Sequence, residues 1–178
     1  MNNLGKKIEM LANVAIILVA LLLGGVLVKR YLLPQNPSPQ AQAPTQIPPG
    51  TKLSLPGVDW SKSNRTLLLV LSTDCRYCTE SAPFYQTLAR EKAKHQDTRL
   101  VAVLPQDVGV AQKYLGDHGI SVDEIRQATP NALQARATPT LIITDREGAV
   151  IESWVGKLPP QEETKVLNRF FAEDRPTD

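Results

Sequence analysis

The chain has 178 residues, with 20 Lys or Arg and 18 Asp or Glu, so its formal net charge at pH 7 is only +2. Basic and acidic residues are also nearly balanced from Thr51 onward, whereas binding to nucleic-acid phosphates needs a clustered basic surface, so a nucleic-acid partner is disfavoured. The chain has only 2 cysteines, which excludes a framework of several structural disulfides.

An uncharged apolar segment, Leu11–Val28, lies near the start of the chain and has basic residues on both sides. As a helix it would extend about 27 Å at ~1.5 Å per residue, close to the thickness of a bilayer core. It is longer than the ~7–15 apolar residues of a signal peptide, and no small-x-small cleavage site follows it. We expect residues 1–10 to be a short head and residues 11–30 a transmembrane anchor, rather than a signal peptide or a buried helix.

Residues 34–50, which make up most of a linker that we place at residues 31–50, are rich in proline and glutamine and poor in large apolar side chains. Such a composition cannot bury enough surface to fold, so we predict an extended linker. In a polyproline conformation, at ~3.1 Å per residue, it would hold a domain up to about 50 Å from the membrane. The remaining residues, 51–178, are numerous enough for one hydrophobic core and not two, and we predict that they form a single domain.

The first strand predicted in the domain is a short apolar run, Leu67–Ser72, which is typical of a strand buried on both faces of a sheet. The two cysteines follow it directly. A helical pattern then continues to about Lys94, and Pro83 is expected to kink that helix. Arg99–Leu104 predicts a second buried strand.

Two short helices are predicted next. Asp107 can cap a helix that carries Val108, Ala111 and Leu115 on one face. Ser121–Glu124 has the spacing of a capping box and predicts a further helix.

The last part of the chain predicts a β-hairpin and a helix. Thr140–Thr144 and Val150–Val155 flank a turn at Asp145–Gly148, and an amphipathic pattern covers Pro160–Ala172. Trp154 falls within the second of these strands and is expected to be a packing residue, as is Trp60. Strands that alternate with helices and close on a hairpin indicate an α/β fold, a mixed sheet with helices on both faces.

The two cysteines occur as Cys75-Arg76-Tyr77-Cys78. Cys75 follows a strand and begins a helix, where unpaired N–H groups and the helix dipole stabilise a thiolate. Cys78 lies one turn later, close enough to attack Cys75 in a mixed disulfide. We predict that Cys75 is the nucleophile and Cys78 the resolving cysteine of a thiol–disulfide oxidoreductase, with Arg76 and Tyr77 as substrate-binding candidates.

The order of strand, CxxC, kinked helix, strand, helix, the ATPT segment (residues 137–140), hairpin and final helix resembles the thioredoxin superfamily from about Leu55 to Ala172. The details are most similar to the membrane-anchored TlpA- and ResA-like thioredoxins of bacteria. The resemblance implies a thioredoxin-like fold, no cofactor, and a cis peptide bond before Pro139. It also implies that Thr138 and Pro139 bind substrate beside the active-site cysteines.

The resemblance further implies a role and a location. TlpA- and ResA-like proteins act mainly as reductants of exported proteins and are kept reduced by a membrane electron-donor protein. Disulfides persist in oxidising compartments, so we expect a single-pass protein of the cytoplasmic membrane whose domain lies on the outer, periplasmic face. Oxidation and isomerisation remain open, because thioredoxin-like proteins with the same CxxC spacing span about −270 to −120 mV.

Three positions depart from the family pattern. Asp74 replaces the tryptophan that usually precedes the first cysteine. Leu69 stands where thioredoxins proper have a buried aspartate, and Ser81 where ResA-like proteins have an acidic residue. Glu80 is adjacent to Ser81, but one residue of shift turns a helical side chain by about 100°. The residue that relays protons is therefore not assigned.

Four other interpretations of the two cysteines and their domain remain open. A structural disulfide would close a loop too small to add much stability. A zinc site would have to use His95 and His118, whose separation does not fit a zinc finger, so no metal is expected. A thiol peroxidase would need other residues before Cys75 than those present. A non-enzymatic scaffold or assembly factor with the same fold is the fourth.

Overall fold

The computed structural model describes residues 13–24 and 46–172. The chain divides between residues 43 and 44 into two units, which we treat separately. Residues 13–24 are helical (α1). Within the described parts of the chain we find no helix with both the length and the hydropathy of a membrane span. The predicted anchor, residues 11–30, lies partly outside the described residues and stays a prediction.

The domain contains five strands and four helices among its described residues. The strands are β1 (Arg65–Val70), β2 (Thr98–Leu104), β3 (Glu124–Gln127), β4 (Thr140–Thr144) and β5 (Val150–Val155). The helices are α2 (Arg76–Glu80), α3 (Ala82–Lys92), α4 (Val108–Asp117) and α5 (Pro160–Phe170), with 3₁₀ turns at Trp60–Lys62 and Pro130–Leu133.

These strands form a single mixed sheet in the order β3-β2-β1-β4-β5. The first three strands are parallel, and β4 is antiparallel to both β1 and β5. The central strand β1 is buried from Thr66 to Val70, as its continuous apolar sequence predicts. The mixed sheet of an α/β fold is therefore confirmed.

The two faces of the sheet are covered differently. The face that carries Leu67 and Leu69 packs against buried residues of α3, α4 and α5, namely Tyr85, Leu88, Tyr114, Leu115, Val166 and Phe170. The face that carries Leu68 and Val70 is covered by loop segments and the 3₁₀ turn Pro130–Leu133, through Ile47, Leu53, Leu55, Leu133 and Ala135. The sheet is flanked by helices as predicted, but α3, α4 and α5 all lie on one face and, in the described domain, only 3₁₀ turns lie on the other, which corrects the expectation of helices on both faces. The crossovers β1-α3-β2 and β2-α4-β3 join parallel strands and advance in one direction along the sheet. Because such crossovers are almost always right-handed, both helices lie on one face.

The helix predicted at Ser121–Glu124 is also absent from the described domain. The chain there leads into β3, which pairs with β2. Asp123 donates its N–H to the Leu100 carbonyl at 2.9 Å, and its carboxylate accepts the Leu100 N–H at 2.8 Å. The open edge of β2 needs hydrogen-bond partners, and a strand satisfies them where a short helix cannot.

The helix after the cysteines is interrupted rather than kinked. It ends as α2 at Glu80, turns at Ser81, and continues as α3 with Pro83 at its second position. A proline ring in a helix interior clashes with the carbonyl four residues earlier, whereas it fits the first turn of a new helix. The break therefore falls two residues before Pro83, and the helix extends to Lys92 rather than Lys94.

Helix α4 begins as predicted, because the Asp107 carboxylate accepts the Val110 N–H at 3.1 Å. Ala111 and Leu115 are buried, as expected. Val108, predicted to share their face of the helix, is 46% exposed. Its position in the first turn places it beside the active-site end of the sheet, where β2 ends.

The hairpin and the last helix confirm their predictions. Asp145 closes the turn by accepting the N–H groups of Glu147 and Ala149 at 2.9 and 2.8 Å. Gly148 has a φ of +73°, and a Cβ there would lie 2.8 Å from Trp60 Nε1, so Trp60 packs directly against the turn. Trp154 is buried and lies in the core that α5 completes.

Residues 46–53 form a strap along the free edge of β5. The Gly50 N–H donates to the Val150 carbonyl at 2.7 Å, and the Leu53 N–H donates to the Gly148 carbonyl at 2.9 Å. The strap is antiparallel to β5, so residue 46 lies toward the end of β5 that adjoins the start of β4. An edge strand covered in this way no longer offers unpaired groups to another chain.

The strap includes residues that we assigned to the linker. Ile47 is only 3% exposed, and its backbone N–H and carbonyl both bond to the Ser153 hydroxyl, at 2.7 and 3.1 Å. Residues 46–50 therefore belong to the domain. The single buried isoleucine is enough to anchor this otherwise polar stretch in the core. The rest of the predicted linker lies outside the described residues.

Candidate active site

The two cysteines lie at the end of the sheet where β1 finishes. Cys75 and Cys78 form a disulfide, and their Cα atoms are 5.2 Å apart. Because β1 is the central strand, the loop that follows it is flanked by the loop after β2 and by the start of β4. The redox pair thus lies where three segments of the chain converge.

The two sulfur atoms have different surroundings. Cys75 is the N-cap of α2, and its Sγ accepts the Cys78 N–H at 3.1 Å. Cys75 is half-buried and Cys78 is fully buried. An N–H aimed at Sγ stabilises a thiolate, so Cys75 combines access to another protein with a favourable charge environment.

Thr138 and Pro139 lie directly beside Cys75. Its Sγ is 3.3 Å from the Thr138 carbonyl oxygen, and the Thr138–Pro139 peptide bond is cis, as the resemblance implied. The Pro139 carbonyl accepts the Gly156 N–H at 2.7 Å, which fixes the segment to the end of β5. The predicted role of both residues in substrate binding is consistent with this placement and stays a prediction.

The residues between the cysteines point outward. The Arg76 side chain is 86% exposed, although its guanidinium is paired with Glu80, and Tyr77 is 57% exposed. An exposed tyrosine offers a large apolar surface together with a hydroxyl, a combination that protein interfaces favour. Their predicted role in substrate binding is likewise compatible with the structure but is not tested by it.

Glu80 does not take the place of the acidic residue missing from position 81. Its carboxylate accepts Lys157 Nζ at 2.9 Å through one oxygen and Arg76 Nε at 2.6 Å through the other. The bonds to Lys157 and then to Arg76 lower the pKa of Glu80 below its usual value. A carboxylate held in its charged form is a poor proton donor near neutral pH.

The family's two acidic positions are apolar or neutral here. Leu69 is buried in the same apolar cluster as Cys78, and the Ser81 hydroxyl donates to the Tyr77 carbonyl at 2.8 Å. Tyr85 lies nearby in that cluster, and burial raises the pKa of its phenol well above the usual value. These positions therefore offer the buried sulfur no group that titrates near neutral pH.

The loops around the cysteines are held by further polar contacts. The Ser72 hydroxyl accepts Gln106 Nε2 at 3.2 Å and the Asp74 N–H at 3.4 Å, which joins the loop after β1 to the loop after β2. The hydroxyls of Thr79 and Tyr114 are 3.2 Å apart and join α2 to α4. Asp74 itself is exposed.

Sequence reasoning missed Lys157, Gln106 and Tyr114 as neighbours of the active site. For Lys157 a signal was present, because the hairpin turn fixes the pairing of Thr140 with Val155 and so brings the residues after β5 beside Pro139. Gln106 and Tyr114 belong to the connection between β2 and β3. No short sequence pattern specifies how such a connection packs against the active site.

The two histidines each have a separate aromatic partner. The His95 ring stacks on Phe171 with ring centres 4.5 Å apart, and His118 Nδ1 is 2.8 Å from the Tyr114 carbonyl oxygen. Residues 13–24 and 46–172 contain no cluster of three or more His, Cys, Asp or Glu arranged to hold a metal ion.

Solved structures resemble this domain at low sequence identity. A protein assigned as the thiol:disulfide interchange protein DsbE of Chlorobium tepidum has a TM-score of 0.54 and 22% identity, covering 70% of this chain and 94% of its own. A DsbF homologue from Corynebacterium diphtheriae has a TM-score of 0.54 and 16% identity, covering 74% and 96%. A thiol-disulfide isomerase from Corynebacterium glutamicum has a TM-score of 0.52 and 14% identity, covering 74% and 98%. At such identities the likeness shows the fold.

The family is shown by sequence. None of the curated proteins compared with the chain matches it. A family profile described as a thioredoxin-like domain, however, matches residues 61–171, which is more than half of the 178 residues. With its Cys75–Cys78 disulfide in the CxxC form, the chain therefore belongs to the thioredoxin-like family of thiol–disulfide oxidoreductases.

Proposed function

We propose that the protein is a membrane-tethered oxidoreductase that reduces disulfides in exported proteins. The observation that carries this proposal is the asymmetry of the redox pair. Cys75 is half-buried at the start of α2, with Thr138 and Pro139 beside it, whereas Cys78 is fully buried. A substrate disulfide can reach the first sulfur and not the second.

The reaction follows from this asymmetry. The Cys75 thiolate attacks one sulfur of the substrate disulfide, forms a mixed disulfide and releases one substrate thiolate. Cys78 then loses its proton and attacks Cys75 Sγ, which forms the Cys75–Cys78 disulfide and releases the second substrate thiolate. Two electrons pass from the pair to the substrate, so a membrane electron-donor protein has to restore the dithiol.

Tethering to a membrane is supported by the N-terminal segment. Residues 13–24 are helical, and their large apolar side chains are exposed. Within the uncharged stretch Leu11–Val28, an exposed apolar helix favours a lipid environment over water. The solved structures described as a thiol:disulfide interchange protein, a thiol-disulfide isomerase and a DsbF homologue fit a role in disulfide chemistry.

A reductant should have a low reduction potential. When the full chain in detergent is equilibrated with glutathione, we expect the Cys75–Cys78 pair to have a reduction potential below about −200 mV. Such a potential is lower than that of protein disulfide isomerase, and it lies either between that value and the potential of thioredoxin or lower still. Intact mass after thiol trapping measures the fraction of Cys75–Cys78 disulfide at each glutathione ratio. A value near −120 mV would instead indicate an oxidant, and a pair that never forms a disulfide would favour the non-enzymatic scaffold.

The location has a separate test. If the domain lies on the outer face of the cytoplasmic membrane, protease added to intact spheroplasts should remove residues 46–172 while a cytoplasmic marker survives. Immunoblotting with an antibody to the domain reads out the loss. A domain that survives while a periplasmic marker is degraded would place it on the inner face.

A further inference from the structure

The carboxylate of Glu80 holds two cations beside the active site. Its two oxygens bond to Arg76 Nε at 2.6 Å and to Lys157 Nζ at 2.9 Å. Arg76 directly follows Cys75 in the chain. Lys157 follows Gly156, whose N–H donates to the Pro139 carbonyl at 2.7 Å. This Glu80 network therefore joins the helix of the nucleophile to the loop of the cis proline.

The formal charge of the Glu80 network is +1, from Arg76, Lys157 and Glu80 together. Cations near a thiol stabilise its thiolate, and anions do the opposite. Glu80 thus offsets one of the two positive charges that it binds beside the helix of Cys75. Asp74, which directly precedes Cys75, is exposed and adds a negative charge that none of the variants below changes. Glu80 also lines a cleft together with residues of α3 and α5. Glu163 is the other charged residue in that lining, so the cleft supplies no further cation.

We propose that Glu80 is a positioning residue that makes the Cys75–Cys78 pair more reducing by neutralising Arg76 and Lys157. This inference rests on the proposed function and specifies how the chain sets the direction of the reaction. The reduced pair carries the thiolate, whereas the disulfide carries no charge. A group that disfavours the thiolate therefore disfavours the reduced state, and the pair gives up its electrons more readily.

The exchange with glutathione measures this balance directly. In it the Cys75–Cys78 dithiol and one oxidised glutathione give the protein disulfide and two reduced glutathione molecules. The equilibrium constant of that reaction should change with the charge of the Glu80 network. The changes should be modest, because all three side chains are at least partly exposed to solvent.

Three variants of the full chain in detergent separate charge from structure. Glu80→Gln raises the charge of the Glu80 network to +2, and we expect the equilibrium to shift about threefold toward the dithiol at low salt. Lys157→Met lowers the charge to 0 and should shift the equilibrium about threefold toward the disulfide. The double variant restores +1 and should return to the wild-type value.

Two further measurements sharpen the test. The pH dependence of Cys75 alkylation should move to lower pH in Glu80→Gln and to higher pH in Lys157→Met. All shifts should shrink at about 1 M salt, where the Debye length is only ~3 Å. Asp117→Asn is the matched control, because Asp117 pairs with Lys113 at 2.6 Å in the same i,i+4 arrangement on α4. It should leave the equilibrium unchanged.

The outcomes are distinguishable. Opposite shifts in the single variants, cancelled in the double variant, support the inference. Shifts in the same direction would mean that the Glu80 network acts only as a structural link, and unshifted variants would mean that it has no role; both overturn the inference alone. A wild-type chain that forms no Cys75–Cys78 disulfide at any glutathione ratio overturns the proposed function and this inference with it.

Discussion

Replacing Cys75 with serine should reduce thiol–disulfide exchange to the uncatalysed background, while Cys78→Ser should accumulate a mixed disulfide with substrate. Only the Cys75 sulfur is accessible, and it accepts the Cys78 N–H that favours a thiolate. Without Cys78 the mixed disulfide cannot be resolved from within the protein. Intact mass of the trapped protein should show a one-to-one adduct that dithiothreitol removes.

The two cysteine variants control for each other, since both remove the internal disulfide. The double variant should neither react nor form an adduct. An adduct on Cys75→Ser but not on Cys78→Ser would reverse the assigned roles. A peroxidase would instead show peroxide consumption that depends on Cys75 and is insensitive to the disulfide substrate.

Phe170→Ala should lower the free energy of unfolding by about 3–5 kcal/mol. The Phe170 side chain is fully buried and is part of the cluster through which α5 packs on the sheet. Removing the ring takes away its burial and leaves a cavity that the surrounding side chains fill only in part. Urea unfolding of the oxidised chain, followed by the fluorescence of Trp60 and buried Trp154, measures the loss.

Phe171→Ala is the matched control, at the C-cap of the same helix. Phe171 is half-buried and stacks on His95, with ring centres 4.5 Å apart. Its removal should cost about 1 kcal/mol, since less surface returns to water and little cavity remains. Equal losses in the two variants would contradict the packing described for α5.

The part of the site that the sequence predicts well is local. Four features depend only on residues close together in the chain: strand β1, the position of Cys75 at the start of a helix, the hairpin turn and the Asp107 cap. For each of them the local sequence pattern has a direct physical cause. The cis bond before Pro139 was available only through the resemblance. Spacing does not distinguish cis from trans.

What the sequence does not predict depends on distant pairing. The segment at Ser121–Glu124 satisfies a helix-capping pattern, yet the edge of β2 draws it into a strand. Ile47 lies among prolines and glutamines, and only the Ser153 hydroxyl and the core beneath it fix its position. Glu80 bonds to Arg76 on its own helix and also to Lys157, 77 residues later. The hairpin brings the residues after β5 beside Pro139, but no local pattern pairs that lysine with Glu80.

The strap along β5 has a practical consequence for where labels can be attached. The first described residue of the strap, residue 46, lies at the end of the sheet that holds Pro139 and Cys75. Helix α5 finishes at the opposite end, where the Arg169 carbonyl accepts Arg65 Nη1 at 2.6 Å at the start of β1. A fluorophore attached at residue 46 would therefore crowd incoming substrates, whereas one attached at the last turn of α5 would leave their approach clear.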